Sequence, residues 1–182
     1  MTDLQLVTKA AYYAATAHRE HRRKDSAATP YINHLTEVAH LLANALCPAT
    51  VIAAGYLHDT IEDVDVTYEM LLAEFGSEIA DLVQSVTDDQ NLPQHVRKQQ
   101  QVERATHASA GTAALKLADK ISNLRSLTTS PPHGWSTERL IDYVEWSHQV
   151  VSRLPSPNGF LLEQYHQIRS LLGRGRAKGL TG

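Results

Sequence analysis

Cysteine is almost missing from this chain: Cys47 stands alone among 182 residues, so no internal disulfide can form and a reducing, cytoplasmic setting is expected. Long apolar runs are missing too. No window approaches the roughly 18 uninterrupted apolar residues of a membrane span. The start, Met1-Thr2-Asp3-Leu4-Gln5, has neither the basic opening nor the apolar stretch of a secretory signal, so no membrane partner is expected. Nine glycines and seven prolines are too few for a fibrous or low-complexity chain. The absence of any repeat of roughly 20–50 residues argues against a solenoid. Positive charge is not in excess: 17 Lys and Arg against 20 Asp and Glu give a formal net charge of −3, which offers no global field to gather nucleic acid. What is present, 42% hydrophobic and 20% charged residues, is the composition of a chain that folds, and 182 residues is the length expected of one domain.

The apolar residues recur at helical steps. Leu4, Val7, Ala11, Ala14 and Ala15 mark a first helix with Thr2 or Asp3 as its cap. The basic run Arg22-Arg23-Lys24 and the following Asp25, Ser26 and Pro30 read as a loop, after which Leu35, Val38, Leu41 and Leu42 form a second stripe. Val51 to Ala54 opens a third helix, apolar all round. Thr67 and Ser77 are placed to cap two short helices separated by Gly76, and Gln94 to Ala105 reads as a polar surface helix. Ala113 to Leu127 returns to buried character, Ser136 caps a long amphipathic helix to Leu154, and Phe160 to Leu172 forms a last one before a tail over Gly173–Gly182. No segment alternates with period two, so the expected architecture is all-α, with the domain over residues 1–172.

Four ionisable groups interrupt the apolar third segment, in Leu57-His58-Asp59-Thr60-Ile61-Glu62-Asp63. His58 and Glu62, and likewise Asp59 and Asp63, stand at i and i+4, so a helix continuing through Asp63 puts each pair on one face. Three carboxylates that close repel one another unless a cation compensates them, and a divalent metal is the economical candidate. His34 and Asp119 are further ligand types within apolar helices. Two imidazoles with two carboxylates would suit Mn²⁺, Zn²⁺ or Fe²⁺ better than Mg²⁺. The competing reading pairs Asp119 with Lys116 or Lys120. The remaining eight of ten histidines, His18 and His21 among them, are expected to be ordinary surface or capped residues.

The blocks Arg23-Lys24…Pro30-Tyr31-Ile32-Asn33-His34, Leu57-His58-Asp59-Thr60-Ile61-Glu62-Asp63, Phe75-Gly76, Val86-Thr87-Asp88-Asp89 and Lys116 to Arg125 resemble the hydrolase domain of the RelA/SpoT alarmone enzymes. That domain is an HD-domain helical bundle around a central metal. The resemblance runs from about Ala10 to Leu154. Gly134-Trp135-Ser136, Arg139, Tyr143 and Glu145-Trp146 are similar to its small stand-alone branch, of the metazoan SpoT homologue type.

That resemblance implies a manganese-dependent 3′-pyrophosphohydrolase acting on (p)ppGpp, a small nucleotide, to give pyrophosphate and GDP or GTP. It implies Mn²⁺ held by His34, His58, Asp59 and Asp119, polarising a phosphoryl oxygen and acidifying water. Glu62 and Asp63 would be the acid/base pair. Arg23 and Lys24 would face the purine and phosphates, Asn123 the sugar and its phosphate, and Trp135, Arg139 and Tyr143 the distal phosphate, with Tyr31 on the pocket wall. Leu35 stands where the family usually has proline, and Ser122 where the long enzymes often carry histidine. The Lys24–Pro30 loop is longer than in most of them. The base therefore stays open, with an adenosine alarmone or the 2′-phosphate of NADPH as alternative substrates. A non-catalytic nucleotide-binding module and a homo-oligomer also stay open.

Overall fold

The structure, a computed structural model, describes residues 1–179, with side-chain surroundings through Gly173. Ten α-helices follow in order: α1 Asp3–Ala17, α2 Ile32–Asn44, α3 Ala49–Leu57, α4 Thr60–Asp63, α5 Tyr68–Phe75, α6 Ser77–Val86, α7 Gln94–Arg104, α8 Ala110–Thr129, α9 Thr137–Val151 and α10 Gly159–Gly179. Among the described residues there is no strand, only the isolated bridges Arg22–Pro30 and Asp25–Pro132, so the all-α expectation holds. No described helix is long and apolar enough to cross a membrane.

Local chemistry explains several helix starts. Thr2 and Gln5 form a reciprocal capping box, and Thr67, Ser109 and Ser136 each accept a backbone N–H of the first turn. Ser77 differs from expectation: it is the first helical residue of α6, and Gly76, with φ +83°, occupies the cap. Helix α8 starts at Ala110, earlier than its apolar stripe suggests, with Ser109 capping it. The tail expected from Gly173 is helical through Gly179, and residues 180–182 lie outside the described part.

Helix α8 is the axis of the bundle, touching α2, α3, α6, α9 and α10, and it contributes buried residues from Thr112 to Leu127. Helix α3 lies between α1 and α2. The α2–α3 approach depends on Gly55: a Cβ there would come within 2.7 Å of Leu42 Cδ1 and 3.3 Å of Ala39 Cα.

One expectation is corrected at the centre. The helix does not run unbroken through Asp63. It stops at Leu57, Asp59 takes φ −99° and ψ 2°, and the single turn Thr60–Asp63 starts afresh. Thr60 Oγ1 donates to the Leu57 carbonyl at 2.7 Å, satisfying a group the break would orphan. The shared-face pairing of His58 with Glu62 and of Asp59 with Asp63 therefore does not arise from one continuous helix.

Candidate active site

Where α2, the α3–α4 break and α8 meet, two imidazoles and two carboxylates converge. His34 Nε2 lies 3.5 Å from Asp59 Oδ2 and 3.4 Å from Asp119 Oδ1. His58 Nε2 lies 3.1 Å and 3.8 Å from the same two atoms. One ligand atom each of His34, His58 and Asp59 falls within 4.8 Å of the others. The far sides of both rings are occupied: His58 Nδ1 donates to the Gly55 carbonyl at 2.8 Å, and His34 Nδ1 meets Ser122 Oγ at 2.8 Å. Both Nε2 atoms are buried with no hydrogen-bond partner. A donor set of two orphaned Nε2 atoms and two carboxylate oxygens fits a divalent cation.

The electrostatics agree. Burial alone would lower the His58 pKa, yet the Asp59 and Asp119 carboxylates carry it well above its ordinary value. Burial likewise opposes ionisation of Asp59 and Asp119, but the imidazoles, with Lys120 beside Asp119, hold both carboxyls well below the usual range. The centre is thus built for positive charge, which a divalent ion held by these four residues would supply.

Glu62 and Asp63 sit one turn beyond. Glu62 Oε1 accepts the Asp88 N–H and its Oε2 accepts Gln90 Nε2 at 3.0 Å, so the carboxyl leans toward the loop between α6 and α7. Burial pushes its pKa up to about 7, with Asp59, Asp88 and Asp63 adding to the rise against the Asp88 N–H. Asp63 is also raised, by burial and then Asp59.

Two adjoining cavities of about 200 Å³ each share Tyr31, Asp63 and Asn123. One holds His58, Asp59, Glu62 and Asp119 with Gln101 and Lys116. The other is basic and aromatic, with Arg23, Lys24, Trp135 and Tyr143 in its wall. The Lys24 loop is tied to the Trp135 loop by His133 N–H donating to the Lys24 carbonyl at 2.7 Å. Arg23 Nη2 reaches Asn123 Oδ1 and Ser126 Oγ, both at 3.0 Å, and Asn123 Nδ2 donates to Asp119 Oδ1 at 2.5 Å. Asn123 therefore links the basic wall to the metal-type cluster. Arg139 is different. Its guanidinium lies over the Trp135 ring, 4.4 Å from the centroid, and it does not line the cavity.

Tyr31 does more than wall the pocket, since its hydroxyl donates to Asp59 Oδ2 at 2.7 Å. It also stacks on His21, centroids 3.9 Å apart. His18 is not a surface residue: it is 1% exposed, its Nδ1 lies 3.1 Å from that of His21, and burial lowers its pKa to about 4. His21 lines the basic cavity. The step Ala10, Ala14, His18 is the signal for the buried position, because it continues the inward face of α1. Lys116 is a further unforeseen lining residue, 6% exposed, its pKa lowered to about 8 by burial and then by Lys120. The proposed pairing of Asp119 with Lys120 is real but loose, at 3.5 Å.

The HD domain pattern matches residues 10–143. The guanosine-3′,5′-bis(diphosphate) 3′-pyrophosphohydrolase MESH1 of Danio rerio is 46% identical over 158 residues, covering 86% of this chain and 88% of its own. That of Homo sapiens is 46% identical over 157 residues, covering 85% and 88%. A solved structure, described as a metazoan ortholog of SpoT that hydrolyzes ppGpp and plays a role in starvation responses, matches with a TM-score of 0.88 at 38% identity. It covers 92% of this chain and 96% of its own.

Proposed function

This chain belongs to the HD-domain family, and from that membership we infer that it is a guanosine-3′,5′-bis(diphosphate) 3′-pyrophosphohydrolase that removes pyrophosphate from a nucleotide alarmone. The observation that carries the reading is the pair of orphaned Nε2 atoms of His34 and His58, aimed at Asp59 and Asp119 beside a basic, aromatic cavity. His34, His58, Asp59 and Asp119 would hold the ion, with Mn²⁺ as the proposed identity. When bound, such an ion supplies Lewis acidity toward a phosphoryl oxygen and acidifies water.

The other steps belong to the chain's own groups. A water oxygen attacks the phosphorus attached to the 3′ oxygen, and the bond from that phosphorus to the 3′ oxygen breaks. One proton must leave the water and one must reach the departing oxygen. Glu62, with its pKa near 7, can hold or release a proton at working pH, and Asp63 is its partner in that exchange. The substrate's negative charges call for cations outside the ligand set, which Arg23 and Lys24 provide at the cavity wall. Asn123 positions the sugar side between Arg23 and Asp119, and Trp135, Tyr143 and Tyr31 enclose the nucleotide. Arg139 acts through Trp135, by holding that ring in place.

Incubation of the purified protein and Mn²⁺ with ppGpp, pppGpp, an adenosine alarmone and NADPH tests the reading. Pyrophosphate together with GDP or GTP is the expected product pattern. Failure to release pyrophosphate from any alarmone overturns it, and phosphate released from NADPH alone would put a 2′-phosphatase in its place.

A further inference from the structure

Behind His34 stands a chain of side chains that the reaction above does not use. His34 Nδ1 lies 2.8 Å from Ser122 Oγ, Ser122 donates to Glu37 Oε2 at 2.7 Å, and Arg125 Nη1 meets Glu37 Oε1 at 3.1 Å. A hydroxyl has a single hydrogen. Glu37 takes it, so Ser122 must accept the Nδ1–H of His34, which in the neutral ring that a cation ligand requires leaves Nε2 as the lone pair facing the carboxylates. Ser122 is 2% and His34 4% exposed, so bulk water does not compete for the bond between them, while Glu37 and Arg125 are half-buried.

The register of two helices produces the whole arrangement. His34 and Glu37 stand at i and i+3 on α2, and Ser122 and Arg125 at i and i+3 on α8, facing one another. Arg125 Nη2 also donates to Gln164 Oε1 at 2.8 Å, so α10 holds the guanidinium that in turn holds Glu37. His58 lacks such a chain, because its Nδ1–H goes to the neutral carbonyl of Gly55. The two imidazoles are therefore polarised unequally, His34 by an anion acting through a hydroxyl and His58 by a peptide dipole.

We propose that Ser122 and Glu37 form a hydroxyl-bridged carboxylate relay that fixes the His34 tautomer and strengthens His34 as a ligand for a divalent cation. This rests on the reading that His34 ligates that cation. Ser122 and Glu37 are positioning residues, and Arg125 keeps the carboxylate turned toward Ser122.

A plain cross-brace between α2 and α8 would use the same contacts, and the two roles part on cation affinity. Calorimetric titration of the full chain with Mn²⁺ alone, beside thermal unfolding in chelator, separates them. Ser122→Ala is expected to weaken Mn²⁺ binding by about 10–100-fold, Glu37→Gln by less, and Ser122→Thr, which keeps the hydroxyl, by no more than about threefold. Loss of chelator-state stability with unchanged Mn²⁺ affinity in Ser122→Ala overturns the proposal. Should Ser122→Ala fail to fold, wild-type Mn²⁺ affinity in folded Glu37→Gln does the same. A wild-type protein that binds no Mn²⁺ removes the cation reading and the relay with it, a result distinct from failure of the relay alone.

Discussion

Glu62 carries two opposing demands. Its carboxyl is buried near Asp59, Asp63 and Asp88, which favours the neutral form, while the Asp88 N–H bonded to it favours the charged one. Burial is the largest influence, and the pKa rises from 4.5 to about 7. The sign of the stability effect follows. Between those values the unfolded chain has lost the proton and the folded protein keeps it, so the contribution is full below the unfolded value and is lost as pH rises through about 7. Glu62→Gln removes the titration while keeping an oxygen for the Asp88 N–H. In cation-free protein the variant should gain on the order of 2 kcal/mol over its parent between pH 4 and pH 8, read from urea unfolding at both ends. With Mn²⁺ and ppGpp the same variant should lose roughly 10²–10⁴-fold in kcat while calorimetry still finds the nucleotide bound. A variant that turns over at the parent's rate removes Glu62 from the acid/base pair.

At the scale of helices, the site depends on how closely α2 and α3 approach. Gly55 has two tasks: its missing side chain admits Leu42 and Ala39, and its carbonyl fixes the His58 ring. Gly55→Ala places a methyl 2.7 Å from the end of the fully buried Leu42 side chain and 3.3 Å from the Ala39 backbone, so Leu42 must repack and α2 must give by a few tenths of an ångström. A loss of about 1–3 kcal/mol in chelator is expected from such overpacking. Because His34 rides on α2 and His58 caps α3, Mn²⁺ affinity should fall as well, and calorimetry finding it unchanged would show that the two rings tolerate the shift. Which elements are legible in the chain follows from the range of the forces that set them. The starts at Thr2, Thr67 and Ser136 are local cap chemistry and can be read from a few residues. The break at His58–Asp59 cannot, because an apolar stretch followed by ionisable pairs at i and i+4 reads as one helix. Only packing against α2 and α8, with Asp59 turned toward both imidazoles, rewards stopping the helix there. The Ser122–Glu37 contact escapes for the same reason, since its two residues lie on different helices, whereas the burial of His18 can be read from the Ala10, Ala14, His18 step of α1.

Across the whole molecule, residues far apart in the chain gather at one point from three separate stretches of backbone. His34 comes from α2, His58 and Asp59 from the α3–α4 break, and Asp119 from α8. The His34, His58, Asp59 and Asp119 set is recognisable through its sequence blocks, whereas the two-cavity layout joined by Asn123 depends on the fold and has no local signature. Without a cation, two carboxylates and two imidazoles crowd together with Tyr31 donating to Asp59 and with Asn123 and Lys120 meeting Asp119. A ligand that binds only the folded state stabilises it by mass action, about 2.7 kcal/mol at a concentration 100 times its Kd. For a chain of this size that corresponds to a rise of roughly 5–10 °C in Tm. Thermal unfolding of chelator-treated protein with increasing Mn²⁺ should therefore climb and keep climbing logarithmically past saturation. His58→Ala, which deletes one donor from the set, should abolish the climb while leaving the fold helical by circular dichroism. An equal rise in that variant would locate the ion elsewhere, because no other described cluster of three His, Cys, Asp or Glu side chains brings its donor atoms this close.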